Sequence, residues 1–216
     1  MNRIILIDDH PIVRLGIRSL LESHSELEVC AEAGTRLEAL TLLEEHQPSL
    51  AIVDLILGKE DGLEFVKELK TTQPNIRILV MTMQDETVYA ERVIRAGANG
   101  FITKKDATEH LLEAVETILR GHVFLTRAST ARVLGRLLKN EVPSGAESNV
   151  NRLSDRELHV FQMIGTGLQT KEIADSLGLS GKTIETYREN IKKKLDLPNA
   201  DALKQAARTW VETGNV

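Results

Sequence analysis

A chain of 216 residues is long for one ordinary domain and sufficient for two small ones, and 42% hydrophobic with 27% charged residues is a soluble globular composition. Aromatics make up only 3%, which makes the cores aliphatic, and the single cysteine, Cys30, excludes an internal disulfide. Apolar runs are no longer than a strand, and "MNRIILIDDH" meets acids before a signal-peptide core is complete, so a cytoplasmic protein without a membrane span is expected, with a net charge of −5.

From residue 3 onward, short apolar runs alternate five times with amphipathic stretches. Strands are predicted at 3–7, 27–33, 50–54, 76–82 and 100–104, and helices at 12–23, 36–46, 62–72, 86–96 and 107–120. Five such units imply an α/β flavodoxin-like domain, a five-stranded parallel sheet with helices on both faces. The first, third and fourth strands are nearly continuous apolar runs, as strands buried on both faces should be. Asp8 and Asp9 follow the first strand, Asp54 closes the third, Thr82 the fourth and Lys104 the fifth. All therefore gather at the carboxyl edge of the sheet, where ligands bind in open α/β folds.

Beyond residue 126 the pattern changes. Residues 128–140 read as one helix, and "EVPSGAESNVN" reads as an exposed, mobile linker. From 153 all signals are helical: Ser154 and Glu157 form a capping box, Leu153 and Leu158 a hydrophobic staple. Helices are predicted at 155–166, 170–177, 181–195 and 200–213, with Gly167, Gly178 and Pro198 as breaks. The expected division is 1–121, a linker over 122–151, and an all-α helix-turn-helix domain over 152–216. Residues 1–126 carry thirteen Lys and Arg against twenty-one Asp and Glu, a net −8; 127–150 carry +2 and 151–216 carry +1. The asymmetry suits a polyanion-binding tail without establishing one.

Three carboxylates converging on one edge repel one another, and an oxygen-only donor set suits Mg2+. Lys104 adds a point charge and Thr82 a hydroxyl, so the group can accept a phosphoryl group on Asp54. A nucleotide-binding enzyme is disfavoured because no glycine-rich loop follows the first strand: "IDDHPIV" has none. His10 is a metal ligand, a base, or an exposed loop residue, the last being preferred.

"IDDHPIVRLGIRSLL", "AIVDLILGKEDGLEFV", "VMT" and "AGANGFITK" make residues 1–121 resemble the receiver domain of two-component response regulators. With "LSDRELHVFQMIGTGLQTKEIADSLGLSGKTIETYRENIKKKL" the whole chain resembles the NarL/FixJ family, with a LuxR-type helix-turn-helix. The resemblance implies a non-enzymatic transcription regulator whose Asp54 accepts phosphate from a sensor histidine kinase. It implies Mg2+ held by Asp9, Asp54 and the Ile56 carbonyl with Asp8 assisting, Thr82 and Lys104 on the phosphoryl group, and Phe101 as the switch aromatic. Phosphorylation would promote receiver-mediated homodimerisation and release the recognition helix for two half-sites on double-stranded promoter DNA, with RNA polymerase a further partner. A constitutive regulator and a Mg2+-dependent phosphatase are the alternatives. The family's Met-Pro pair is replaced by Leu57-Gly58, which frees the loop beside Asp54.

On the helix at 181–195, Ile184, Tyr187, Ile191 and Leu195 share one side, expected to be the core. Lys182, Thr186, Glu189 and Lys193, flanked by Glu185 and Asn190, form the opposite side. By the resemblance Glu185, Thr186 and Glu189 face the major groove, where basic residues are commoner in the family. Lys182, Thr183, Arg188, Lys192 and Lys193 complete the expected DNA-binding set, the four cations on phosphates.

Overall fold

In the first part of the chain the elements run β1 (Asn2–Ile7), α1 (Pro11–Glu22), β2 (Leu27–Ala33), α2 (Arg36–His46) and β3 (Leu50–Val53). They continue with β4 (Ile56–Leu57), β5 (Glu60–Asp61), α3 (Gly62–Thr72), β6 (Arg77–Thr82), α4 (Glu86–Arg95), β7 (Gly100–Thr103) and α5 (Ala107–Leu119). These come from a computed structural model that describes all residues except 59, 85, 128, 132–149, 151 and 214–216. The helix expected at 128–140 and the linker at 141–151 lie outside the described residues, apart from 129–131 and 150. The chain divides into two units, 1–138 and 139–216.

Five strands pair in parallel in the order β2-β1-β3-β6-β7. The chain leaves β1 for one side and returns to its other side at β3, so the topological switch point lies between those two strands. Ile7 pairs with Val53, which sets Asp8 and Asp54 side by side one residue beyond the sheet. Thr82 pairs with Thr103, which brings Lys104 to the same edge.

Burial follows position in the sheet. β3 is buried throughout and β6 nearly so, whereas the edge strand β2 alternates between buried and half-buried residues. The core is aliphatic, built on Ile4, Leu6, Ile52, Leu79, Leu111 and Val115, as the shortage of aromatics requires. A short antiparallel hairpin, β4 with β5, follows Asp54. It is absent from the sequence reading because two-residue strands carry no period to detect.

The second unit comprises α6 (Asp155–Gly165), α7 (Thr170–Ser176), α8 (Gly181–Lys194) and α9 (Ala200–Thr213). The predicted capping box forms: Ser154 Oγ accepts from Glu157 N at 3.3 Å and Ser154 N donates to Glu157 Oε2 at 2.7 Å. Gly167 and Gly178 adopt φ of +91° and +61°, left-handed conformations that end helices at little cost for glycine. Phe161 and Trp210 pack at 5.8 Å between ring centroids in the core with Leu158, Ile173, Ile184, Ile191 and Leu203.

His159 couples this core to pH. Burial first, and the Arg156 charge second, lower its pKa to about 4 from 6.5, and Nδ1 is buried without a hydrogen-bond partner among the described residues. The unfolded chain therefore binds the proton more readily, so the contribution to stability is full above pH 6.5 and lost progressively toward pH 4. We expect a loss of about 3 kcal/mol across that window. Urea titrations followed by the fluorescence of Trp210, the only tryptophan, report on it. His159→Gln should flatten the dependence.

Candidate functional site

The sheet edge gathers Asp8, Asp9, Asp54, Thr82 and Lys104, as their positions at strand ends require. Asp8, Asp54 and Thr82 are buried at 2%, 4% and 1% exposure. Lys104 Nζ lies 2.6 Å from Asp8 Oδ2 and 2.6 Å from Asp54 Oδ2, hydrogen-bonding the latter. Burial pushes the Asp54 carboxyl above its ordinary value; Lys104, and to a lesser degree the Thr82 hydroxyl, pull it down, and Asp8 pushes it up again. For Lys104 burial disfavours the ammonium, but the two carboxylates outweigh it and its pKa is raised. Ligand atoms of Asp8, Asp9, His10 and Asp54 all lie within 4.8 Å of one another. The buried carboxylates thus share one internal cation and retain oxygens for a second, which fits a hard divalent ion.

Two features of the site escaped the sequence reading. His10 is 60% exposed, yet its Nδ1 sits 2.7 Å from Asp9 Oδ1 and 3.2 Å from Asp8 Oδ1, so it props the acid pair rather than standing free. Gly58 was expected only to loosen its loop. Its φ is +54°, closed to proline, and its N–H donates to Asp9 Oδ2 at 3.0 Å, a bond proline could not make. Ile56 N donates to Asp54 Oδ1 at 3.2 Å. Phe101 is fully buried on β7.

Gly62 begins α3 against the backbone that follows β3. A Cβ there would stand 2.4 Å from Leu55 Cα and 2.6 Å from the Asp54 carbonyl oxygen, both backbone atoms. Gly62→Ala is therefore expected to cost about 2 kcal/mol by overpacking. A far-UV circular dichroism melt of the transition of the first unit measures it, and an unchanged melt would show that the loop yields freely.

On α8 the described side chains divide as follows. Lys182, Glu185, Thr186, Glu189 and Lys193 are exposed, Thr183 is half-buried, and Ile184, Ile191 and Leu195 are buried. Tyr187, expected in the core, is only half-buried. Arg188, expected to contact a DNA phosphate, is buried at 8% exposure because its helical position falls beside Ile184 and Ile191 rather than beside Lys182. Lys192 is 19% exposed and pairs with Glu189 at 2.9 Å, and that bond holds the Glu189 carboxyl below its usual range. Glu185 Oε1 accepts from Thr170 Oγ1 at 2.7 Å, which ties the face of α8 to the start of α7. The Thr186 hydroxyl is engaged by the Lys182 carbonyl at 3.0 Å, leaving its methyl as the available group.

Among the described residues no helix is long and apolar enough to cross a membrane. The family profile described as "Response regulator receiver domain" matches residues 4–116, and that described as "Bacterial regulatory proteins, luxR family" matches 151–207. The chain is 34% identical to Fimbriae Z protein of Escherichia coli K12 over 207 residues, covering 96% of each. It is 33% identical to the oxygen regulatory protein NreC of Staphylococcus carnosus, over 95% of this chain and 96% of that protein. Among solved structures, RcsB of Salmonella enterica serovar Typhimurium superposes with a TM-score of 0.60 at 27% identity, covering 95% of this chain and 98% of that one. With an acid cluster at the switch point of a parallel sheet, a separate helical unit and profiles matching both, the chain belongs to the NarL/FixJ family of two-component response regulators.

Proposed function

We propose that Asp54 is the phosphoacceptor of a DNA-binding transcription regulator. The observation that carries this reading is Lys104 Nζ at 2.6 Å from both Asp8 and Asp54, with the buried Thr82 at the end of the neighbouring strand. A carboxylate oxygen of Asp54 attacks phosphorus while the bond to the donor, a histidine of a sensor kinase, breaks. Lys104 then leaves Asp54 for the new phosphoryl oxygens, and Thr82 supplies the hydroxyl that draws it into the switched arrangement, with Phe101 as the aromatic that follows. Asp8, Asp9, Asp54 and the Ile56 carbonyl would hold Mg2+, which when bound neutralises charge on the transferring group.

RcsB bound to promoter rprA in the presence of phosphomimetic BeF3-, and two RcsB dimers bound to two parallel DNAs, support the same use of this chain. Phosphorylation would promote a homodimer that sets two α8 helices on double-stranded DNA, as half-site recognition requires. Glu185, Thr186 and Glu189 read bases; Lys182 and Lys193, exposed and facing outward, contact phosphates, with Thr183 and Lys192 beside them. RNA polymerase is a further partner on this reading. Arg188, buried, is withdrawn from that set.

Binding of a mixed-sequence duplex, followed by fluorescence anisotropy at several salt concentrations, tests the tail. Lys182→Ala and Lys193→Ala should each weaken binding and reduce the slope of log K against log salt by about 0.9. Unchanged slopes would move the phosphate contacts elsewhere. Prior treatment with acetyl phosphate and Mg2+ should tighten binding of the wild type alone, not of Asp54→Asn.

A further inference from the structure

Arg14, on α1, has no part in the phosphoryl chemistry described above, yet its guanidinium bridges the acid cluster to the edge strand. Its side chain is 17% exposed. Nη1 donates to the carbonyl oxygen of Asp8, and Nε donates to Glu32 Oε2 at 3.0 Å. Glu32 stands on β2, where it pairs with Leu6, two residues before Asp8. Burial raises the pKa of the Glu32 carboxyl, but hydrogen bonds from Arg18 and Arg14 outweigh it and hold the group below its usual range, so the anchor is charged.

Asp8 lies one residue past the end of β1, where the ladder no longer fixes both of its backbone groups. Its N–H still reaches the Ala33 carbonyl on β2 at 3.1 Å, whereas its own carbonyl is held by Arg14. The carboxylate it carries is engaged on both oxygens: His10 N donates to Oδ1 at 2.9 Å and Lys104 Nζ stands 2.6 Å from Oδ2. A guanidinium presents its donors in a rigid fork, so one edge fixed on Glu32 sets where the other edge holds the Asp8 peptide. Arg18, one helical turn further on, is a comparison built into the fold. Its Nε bonds the same Glu32 at 2.6 Å, but its Nη1 goes to Glu22 and the Val29 carbonyl rather than to Asp8.

We propose that Arg14 is a positioning residue for the divalent metal: by clamping the Asp8 peptide to Glu32, it holds the Asp8 carboxylate where the ion needs it. The proposal rests on the reading of the acid cluster as a Mg2+ site. Removing a partner that orients a metal's ligands costs about tenfold or more in affinity. Electrostatics alone predicts the opposite sign, because the loss of a neighbouring cation should tighten a cation site.

The full chain is unfolded in urea, followed by far-UV circular dichroism, in EDTA and at increasing Mg2+; the growth of stability with metal gives the affinity. Arg14→Met should bind Mg2+ about tenfold more weakly than the wild type. Arg18→Met should bind it as the wild type does, although each variant loses an ion pair with Glu32 and some stability in EDTA. Arg14→Lys and Arg18→Lys, which keep charge and stem, give the same comparison with less risk to folding, since an ammonium does not reproduce the fork. With acetyl phosphate as donor, the Mg2+ needed for half the maximal rate should rise by the same factor in Arg14→Met, with the rate at saturating Mg2+ retained. Equal affinities in the Arg14 and Arg18 variants, or tighter binding in Arg14→Met, would overturn the proposal, as would a wild type that Mg2+ does not stabilise. Equal affinities with the wild-type mass gain intact would leave Asp54 as acceptor. A tenfold difference without any mass gain would leave Arg14 positioning a metal site and remove the acceptor reading instead.

Discussion

Incubated with Mg2+ and acetyl phosphate, the wild-type chain is expected to gain one phosphoryl group by intact mass and to elute earlier in size-exclusion chromatography; Asp54→Asn should do neither. Three carboxylates share the sheet edge, and their surroundings separate their roles. Asp54 stands between Lys104, which bonds its Oδ2 at 2.6 Å, and Thr82, so an oxygen placed on it meets a cation and a hydroxyl at once. Asp9 instead accepts from Gly58 N and touches His10, contacts that position it as a ligand rather than as a nucleophile. Asp9→Asn should therefore slow the gain without abolishing it, and raising Mg2+ should recover part of the rate. A phosphoryl group still gained by Asp54→Asn would place the acceptor elsewhere. Release of more than one equivalent from a generic phosphate ester would instead make Asp54 the nucleophile of a phosphatase.

Lys104→Met should cost about 3 kcal/mol of receiver stability in EDTA, because it leaves Asp8 and Asp54 buried without their shared cation. Mg2+ should restore much of that loss. The wild type gains less from the metal, since there the ammonium already neutralises the same oxygens, and a native-state ligand stabilises in proportion to how tightly it binds. Urea unfolding followed by far-UV circular dichroism, in the transition that Trp210 does not report, measures both values. An equal deficit in EDTA and in Mg2+ would show that lysine and metal do not draw on the same carboxylates. The same variant tests whether the switch needs Lys104: if phosphorylated protein still dimerises, the ammonium serves neutralisation alone.

Much of the molecule was legible in one dimension, for a physical reason that differs between elements. β2, α2 and α3 fall at 27–33, 36–46 and 62–72 as predicted, since alternation and helical period are local properties of the chain. Asp8, Asp54, Thr82 and Lys104 were assignable to one site because parallel strands all end at one edge, so position after a strand translates directly into position in space. Ser154 and Glu157 were legible because a capping box is closed within four residues.

What only the tertiary structure decided are quantities that depend on which partner stands across a gap. Gly58 was read for its freedom and proved to be a donor to Asp9, forty-nine residues away in the chain. His10, read as an exposed loop residue, is exposed and in addition leans on the acids; Arg188 was read as a phosphate contact and proved to be buried. Period tells which residues share a face, but a long side chain at the border of two faces is placed by the volume its neighbours leave, and that volume is set by α6, α7 and α9 together.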